Sequence, residues 1–479
     1  MSTTAENKKD SGGGSGGLLS TLLKPFAEVH AGEAVGALML TFTVFLLLTA
    51  YYLLKTAREP LILILHNGAR VKSYASLGQS LLLIGVIRIY TSLARRVGRL
   101  KLLSIIYLFF ISNLAIFAVL ARAHVNIGIV FFLWVGIFNV TAIAQFWSFS
   151  NDIYTEDQGK RLFAIIGIGS SVGAVVGAKV AEALVHFGPY MLMIVAAVIL
   201  GLCLGLIAIV DTRIDKQEGS PGKKKDEQPP VDAKTFQLLI HDKYLLLVGA
   251  LTLMLNCVNK TGEYILDRAL LASPAAHAPG VDTIAYIGAF KADYFSWINL
   301  IGVLLQLFAV SRIIKYLGVR GALFFLPIVA GVAYATTAIL PILGIIRWAK
   351  IGENATDYSV QSTANQTLYL VTNRTEKYVG KTIIDTFIVR FGDVFSAGFV
   401  WLGAELTLGV RAFAIINLVL IGGWIVLVLA ISRENKKRSD EGRDKKDGDE
   451  GDPKSDDARC VSNSDDDGAH HHSSEPAPA

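Results

Sequence analysis

Ionisable residues recur at helical spacing inside stretches of this chain that are otherwise apolar. In IIRWAKIGENATDYSVQSTANQTLYLV the residues Arg347, Lys350, Asn354, Asp357, Gln361 and Asn365 advance by steps of three or four. At about 100° per residue they form one helical stripe about 80° wide. Asn256, Lys260, Glu263 and Asp267 repeat the pattern in LNCVNKTGEYILDRALL, and Lys55, Arg58 and Glu59 cluster in YYLLKTAREPL. A fourth group is Asp385, Arg390 and Asp393, of which the last two are three apart and able to pair on a helix. Thr141, Gln145, Ser148 and Asp152 make a milder stripe. A charge at the centre of a bilayer costs roughly 2.5–3.5 kcal/mol on insertion scales, so such residues tend to face a cavity and carry function. Arginine offers a planar fork to phosphate or carboxylate, and lysine a point charge. Lys55, Arg58, Lys260, Arg347, Lys350 and Arg390 outnumber the acids beside them, which predicts a cavity with surplus positive charge and a small anionic substrate. The candidate binding residues are these six cations with Glu59, Asn256, Glu263, Asp267, Asp357, Gln361 and Asp385. The competing reading makes the same charges interhelical ion pairs that only stabilise a bundle.

Positioning such stripes requires membrane-spanning helices. Apolar residues make up 52% of the 479 residues and charged ones only 18%, against about 25% charge in soluble domains. A span needs about 20 mostly apolar residues. By that measure spans are expected near 35–58, 71–92, 100–121, 126–150, 161–184 and 188–210, then near 243–270, 290–314, 319–341, 344–371, 382–406 and 410–432. The expected fold is an all-α membrane protein of about 12 transmembrane helices. Its parts are a Gly/Ser-rich arm (1–34), a six-helix half (35–210), a Lys/Pro-containing linker (211–242), a second half (243–432) and an Asp/Lys/Ser-rich tail (433–479). Composition alone predicts a disordered arm and tail.

Basic residues set the orientation. Arg95, Arg96, Arg99 and Lys101, Lys160 and Arg161, the linker lysines, Arg312, Lys315 and Arg320, and Arg374, Lys377 and Lys381 fall on one side with the tail. The opposite connections, at 186–189, 341–344 and 405–409, are short and poor in Lys and Arg. The positive-inside rule then places both termini in the cytoplasm of a cell whose inner membrane holds the chain. The halves also match one another. Gln145, Gly159–Lys160 and Gly177 recur as Gln366, Gly380–Lys381 and Gly398, each 221 residues on, and Gly98 pairs with Gly318 at 220. Two six-helix halves about an axis along the membrane normal is the major-facilitator plan.

Other chemistries find little support. Gly380–Lys381–Thr382 ends like a phosphate-binding loop, but Thr375 stands where the first glycine belongs. Gly167, Gly169 and Gly173 miss dinucleotide spacing by one residue; Gly169, Gly173 and Gly177 instead give the small-residue stripe of closely packed membrane helices. Cys203, Cys257 and Cys460 lack paired spacing, and His470–His472 sit in low-complexity tail. No catalytic set, metal, cofactor or nucleic-acid partner is expected, and a monomer in the lipid bilayer is.

The segments AQFWSFSNDIYTEDQGKRLFAIIGIGSSVGAVVGA, YYLLKTAREPLIL and KYVGKTIIDTFIVRFGDVFSAG resemble the ATP/ADP exchangers of plastids and intracellular bacteria, the nucleotide transporter family, of which this chain looks like a divergent member. The resemblance spans most of 35–432. It implies a major-facilitator-like fold and exchange of nucleotides, with Arg58 matching the family's substrate-contacting lysine in the first helix. Lys55 there matches an arginine and Glu59 an aspartate. The family's helix 7 acid falls on Asn259, with Glu263 one turn later. Transport of another phosphorylated or organic anion, and a non-transporting scaffold, are the alternatives.

Overall fold

The computed structural model describes residues 34–94, 96–154, 156–217, 242–369, 372 and 380–449. The N-terminal arm to 33, most of the linker, and the tail from 450, with Cys460 and His470–His472, lie outside the described residues. All regular elements among those described are helices. They are α1 (Ala34–Leu63), α2 (Gly68–Ala94), α3 (Arg99–Arg122), α4 (Gly128–Ile153), α5 (Glu156–Leu184), α6 (Pro189–Gln217), α7 (Lys243–Leu271) and α8 (Thr283–Leu304). A π-helical turn, Leu305–Ala309, joins α8 to α9 (Val310–Ile339). Gly318 breaks α9 with a φ of 67° that only glycine adopts without strain. α10 runs as Leu343–Thr356, a π turn at Asp357–Gln361, and Ser362–Leu368; α11 as Lys381–Ile383, a π turn at Ile384–Ile388, and Val389–Glu405; α12 is Val410–Asp449.

Nine helical stretches among the described residues are long and apolar enough to cross a membrane, as a multi-pass membrane protein requires. One is the 57-residue run Thr283–Ile339, far longer than one crossing of about 30 Å uses and divided at Gly318. α10 and α11 are not among the nine, and α10 alone carries Arg347, Lys350, Glu353 and Asp357 within 343–361. Length and apolarity alone therefore do not fix the expected count of twelve.

Two boundaries differ from expectation. α8 starts seven residues before the expected 290, because Asp282 caps it by accepting the Ile284 N–H at 2.9 Å. α12 runs through Asp449, so the first part of the expected disordered tail is helical. Arg438 holds it there, donating to both oxygens of Asp242 at 2.7 and 2.8 Å and lying 4.7 Å from the Tyr244 ring centre. Burial acts to raise the Asp242 carboxyl, yet Arg438 and the Leu245 and Tyr244 amides together hold it below the usual carboxylate range.

The small-residue stripe on α5 does what its spacing predicts. A Cβ on Gly169 would lie 2.4 Å from the Thr41 carbonyl oxygen, and one on Gly173 2.3 Å from that of Phe45. The two backbones thus touch, and Thr49 Oγ1 donates across the contact to Gly173 O at 3.2 Å. Gly173→Leu is expected to destabilise by roughly 1–3 kcal/mol or more, since backbone cannot yield as a side chain does. Gly167→Ala, with nothing within 4 Å of its Cβ, should not. Thermal unfolding in detergent reads both; equal stability of the two variants would contradict the close contact. α8 joins the same layer. Tyr52 of α1 donates to Asn299 Oδ1 at 2.8 Å, and Asn299 Nδ2 to Ala174 O at 3.4 Å. These contacts tie α1, α5 and α8 together.

Candidate functional site

A cavity of about 190 Å³ opens between α1, α2, α4, α7, α8, α10 and α11. α1 contributes Lys55, Arg58 and Glu59; α2 contributes Lys72, Ser73 and Ser76; α4 contributes Phe132. α7 supplies Asn256, Asn259, Lys260, Glu263, Tyr264 and Asp267, α8 Phe295, α10 Asn354 and Tyr358, and α11 Asp393 and Ser396.

Beneath the wall lies a cluster of buried charges. Lys72 donates to Glu59 Oε2 at 2.6 Å and to Asp267 Oδ2 at 2.8 Å. Lys291 of α8, wholly buried, donates to Asp267 Oδ1 at 2.5 Å and stands 3.6 Å from Glu59 and 3.9 Å from Glu263. Two lysines and two carboxylates thereby neutralise one another and tie α1, α2, α7 and α8 together. Glu263 also accepts from Tyr294 at 2.8 Å and Asn354 at 3.0 Å. Across the cavity, Asp393 accepts from Ser80 at 2.6 Å and Asn256 at 3.3 Å, with Lys260 at 3.5 Å and Arg390 at 3.4 Å.

The expected surplus of positive charge is not what lines the cavity. Four cations, Lys55, Arg58, Lys72 and Lys260, meet four carboxylates, Glu59, Glu263, Asp267 and Asp393. Their pairing is uneven, however. Lys55 has no carboxylate within 4.0 Å among the described residues; its Nζ rests 4.3 Å from the Phe295 ring centre and 5.1 Å from that of Tyr52. Arg58 reaches Glu59 only through Nε, at 3.3 Å, while its guanidinium carbon lies 4.5 Å from the centre of the Phe132 ring. Both side chains are held on aromatic faces.

Seven of the thirteen sequence-derived residues line this cavity: Lys55, Arg58, Glu59, Asn256, Lys260, Glu263 and Asp267. Five do not. Arg347 pairs with Asp293 of α8. Lys350 donates to Asn259 O at 3.1 Å, Asn259 Oδ1 at 2.9 Å and Glu353 Oε1 at 2.9 Å. Asp357 accepts from Asn259 at 3.3 Å, buried Gln361 donates to Asn365 at 2.9 Å, and Arg390 supports Asp393 from outside the wall. Arg347 and Lys350 precede the π turn and are drawn aside by these partners. For the residues from Asp357 on, the stripe implies unbroken α-helical rotation, whereas the π turn at Asp357–Gln361 adds a residue to that turn and rotates the later side chains. Tyr358 takes the cavity position instead. The Asp385 side chain lies outside the described residues.

No helical stripe in the sequence marks Lys72, Lys291 or Tyr294. Lys72 sits at a helix start, where a lysine reads as snorkelling to the interface. Lys291 stands at the edge of the expected span, in AYIGAFKADYF, with no stripe around it. The available signal was Asp282 before Thr283, a helix N-cap that moves Lys291 more than two turns inside the helix.

Comparison with known proteins agrees with this architecture. ADP,ATP carrier protein 1 of Chlamydia pneumoniae is 21% identical over 334 residues, 60% of this chain and 63% of that protein. ADP,ATP carrier protein 1 of Chlamydia trachomatis serovar D is 22% identical over 288 residues, 52% and 53% of the two chains. The chain therefore spans less than two thirds of these curated relatives. Among solved structures, the nucleoside transporter NupG superposes with a TM-score of 0.59 at 11% identity, covering 83% of this chain and 98% of that one. The POT family transporter PepTSo superposes at 0.60 with 10% identity, covering 84% and 98%. At such identities the likeness concerns the fold. Residues 31–363 match the Major Facilitator Superfamily, and the chain belongs to it.

Proposed function

We propose that the protein is a secondary transporter of nucleotides, or of anions with the same phosphorylated chemistry, working by alternating access. The observation that carries this reading is Lys55, with no carboxylate within 4.0 Å among the described residues, three residues from an Arg58 guanidinium that reaches Glu59 only through Nε among those residues, both at the cavity wall. A phosphate would accept from both, and the aromatic faces of Phe295, Phe132 and Tyr358 offer surfaces for a base. ATP/ADP exchange is the form the named relatives suggest. In this reading residues 35–210 and 243–432 rock against each other, and both termini lie in the cytoplasm.

A second reading is a smaller organic anion. The cavity volume of about 190 Å³ is below the roughly 300–1,000 Å³ of drug-sized pockets, so a nucleotide requires the helices to part further. Uptake by proteoliposomes distinguishes the two. Radiolabelled ATP and ADP should enter, faster when unlabelled nucleotide is already inside, because a bound anion relieves the unpaired Lys55 charge that resists desolvation in the empty carrier. Uptake of small carboxylates without ATP would favour the second reading, and uptake of none would favour a scaffold.

A further inference from the structure

One half-buried carboxyl group beside the cavity has no cation within 4.0 Å among the described residues. Asp357 opens the π turn of α10, one residue from Tyr358 and hydrogen-bonded to Asn259, both of which line the cavity. The neutral Asn259 amide is its donor, at 3.3 Å. The nearby cation cannot serve it. Lys350 has three N–H groups, and all three are directed elsewhere, two at Asn259 and one at Glu353. The other groups facing this place are acidic or neutral. Glu353 on the same helix accepts from Tyr334 of α9 at 2.8 Å, Glu263 of α7 and Tyr294 of α8 are bound to each other, and Tyr358 is adjacent. One ammonium thus faces two carboxylates on a single helix, and the ammonium is bound to Glu353. A carboxylate in a membrane interior with one weak neutral donor is unfavourable, whereas the protonated acid is not.

We propose that Asp357 is a proton-binding site, and that its proton is loaded and released to cavity water as α10 moves, so that transport is coupled to proton movement. This rests on the transporter reading above. The π turn is the element that permits it: such turns lack the regular i to i+4 ladder and often mark functional positions. Restoring α-helical pairing there would turn Asp357 relative to Asn259 and change its access to water. The release is a simple dissociation, COOH to COO⁻ plus a proton accepted by water, and Asn259 remains as donor to the carboxylate.

Two measurements test this, one independent of any substrate. In the purified, substrate-free protein at neutral pH, the infrared absorption of a protonated carboxyl group should be present, lost in Asp357→Asn and kept in Glu353→Gln. Asparagine is isosteric with the neutral acid, so the variant should fold with wild-type thermal stability. In proteoliposomes, an inward proton gradient should change the initial rate of ATP uptake severalfold in the wild type and not in Asp357→Asn. Persistence of the carboxyl band in Asp357→Asn, its loss in Glu353→Gln instead, or an equal gradient response in the variant and wild type would each overturn the assignment. If the wild type takes up no ATP, the nucleotide reading fails, while the infrared result still decides the proton site.

Discussion

Lys291→Met is expected to destabilise the protein by about 3–5 kcal/mol, the usual cost of removing one partner from a buried ion pair. Lys291 is wholly buried and donates to Asp267 at 2.5 Å, with Glu59 and Glu263 within 3.9 Å. Without it, Glu59, Glu263 and Asp267 face one another with only Lys72 and Arg58 as close cations among the described residues. Methionine fills a similar volume, so the loss is electrostatic rather than a cavity effect. The double variant Lys291→Met with Asp267→Asn should lose much less than the two single losses together, because removing both charges leaves neither uncompensated. Chemical unfolding in detergent measures all three. Additive losses would show that the two residues are not coupled, contrary to the geometry.

Lys55→Ala is expected to spare the fold and impair binding. Its loss should leave stability within about 1 kcal/mol, the scale of an exposed cation–π contact. Nucleotide binding should fall by about tenfold or more, since a hydrogen bond to a charged group is worth roughly 1.5–3 kcal/mol. Lys350→Ala should show the reverse pattern, a loss of stability with little direct effect on binding, because every Lys350 donor is engaged within α7 and α10. Both variants can be followed by calorimetric titration with ATP and by thermal unfolding. Equal binding by wild type and Lys55→Ala would remove Lys55 from the site.

The sequence carried the membrane class, the helical stripes and the α5 glycines because each is a local, periodic signal. Asn256, Lys260, Glu263 and Asp267 reach the cavity as their spacing implies, since α7 is an uninterrupted helix. The α10 stripe fails on both sides of Thr356: a π turn, which residue type does not encode, takes up Asp357 and Gln361, while Arg347 and Lys350 before it are drawn to Asp293 and to Asn259 and Glu353. The pairing of charges was also hidden. Which lysine meets Asp267 depends on how α2 and α8 cross α7, a tertiary fact that no spacing within one helix contains. The stripes likewise suggest a cationic surplus, because they include Arg347, Lys350 and Arg390, which do not reach the wall, and omit Lys72 and Lys291, which stand against its acids.

Recognition of a phosphorylated anion by Lys55 and Arg58 is tested most directly by competition in one proteoliposome preparation, with unlabelled ATP, ADP, AMP and adenosine each set against radiolabelled ATP. If these two side chains bind phosphate, ATP and ADP should compete strongly, AMP less, and adenosine, which offers no anion, hardly at all. Adenosine competing as well as ATP would contradict this, because recognition would then rest on the base and leave Lys55 and Arg58 without a role.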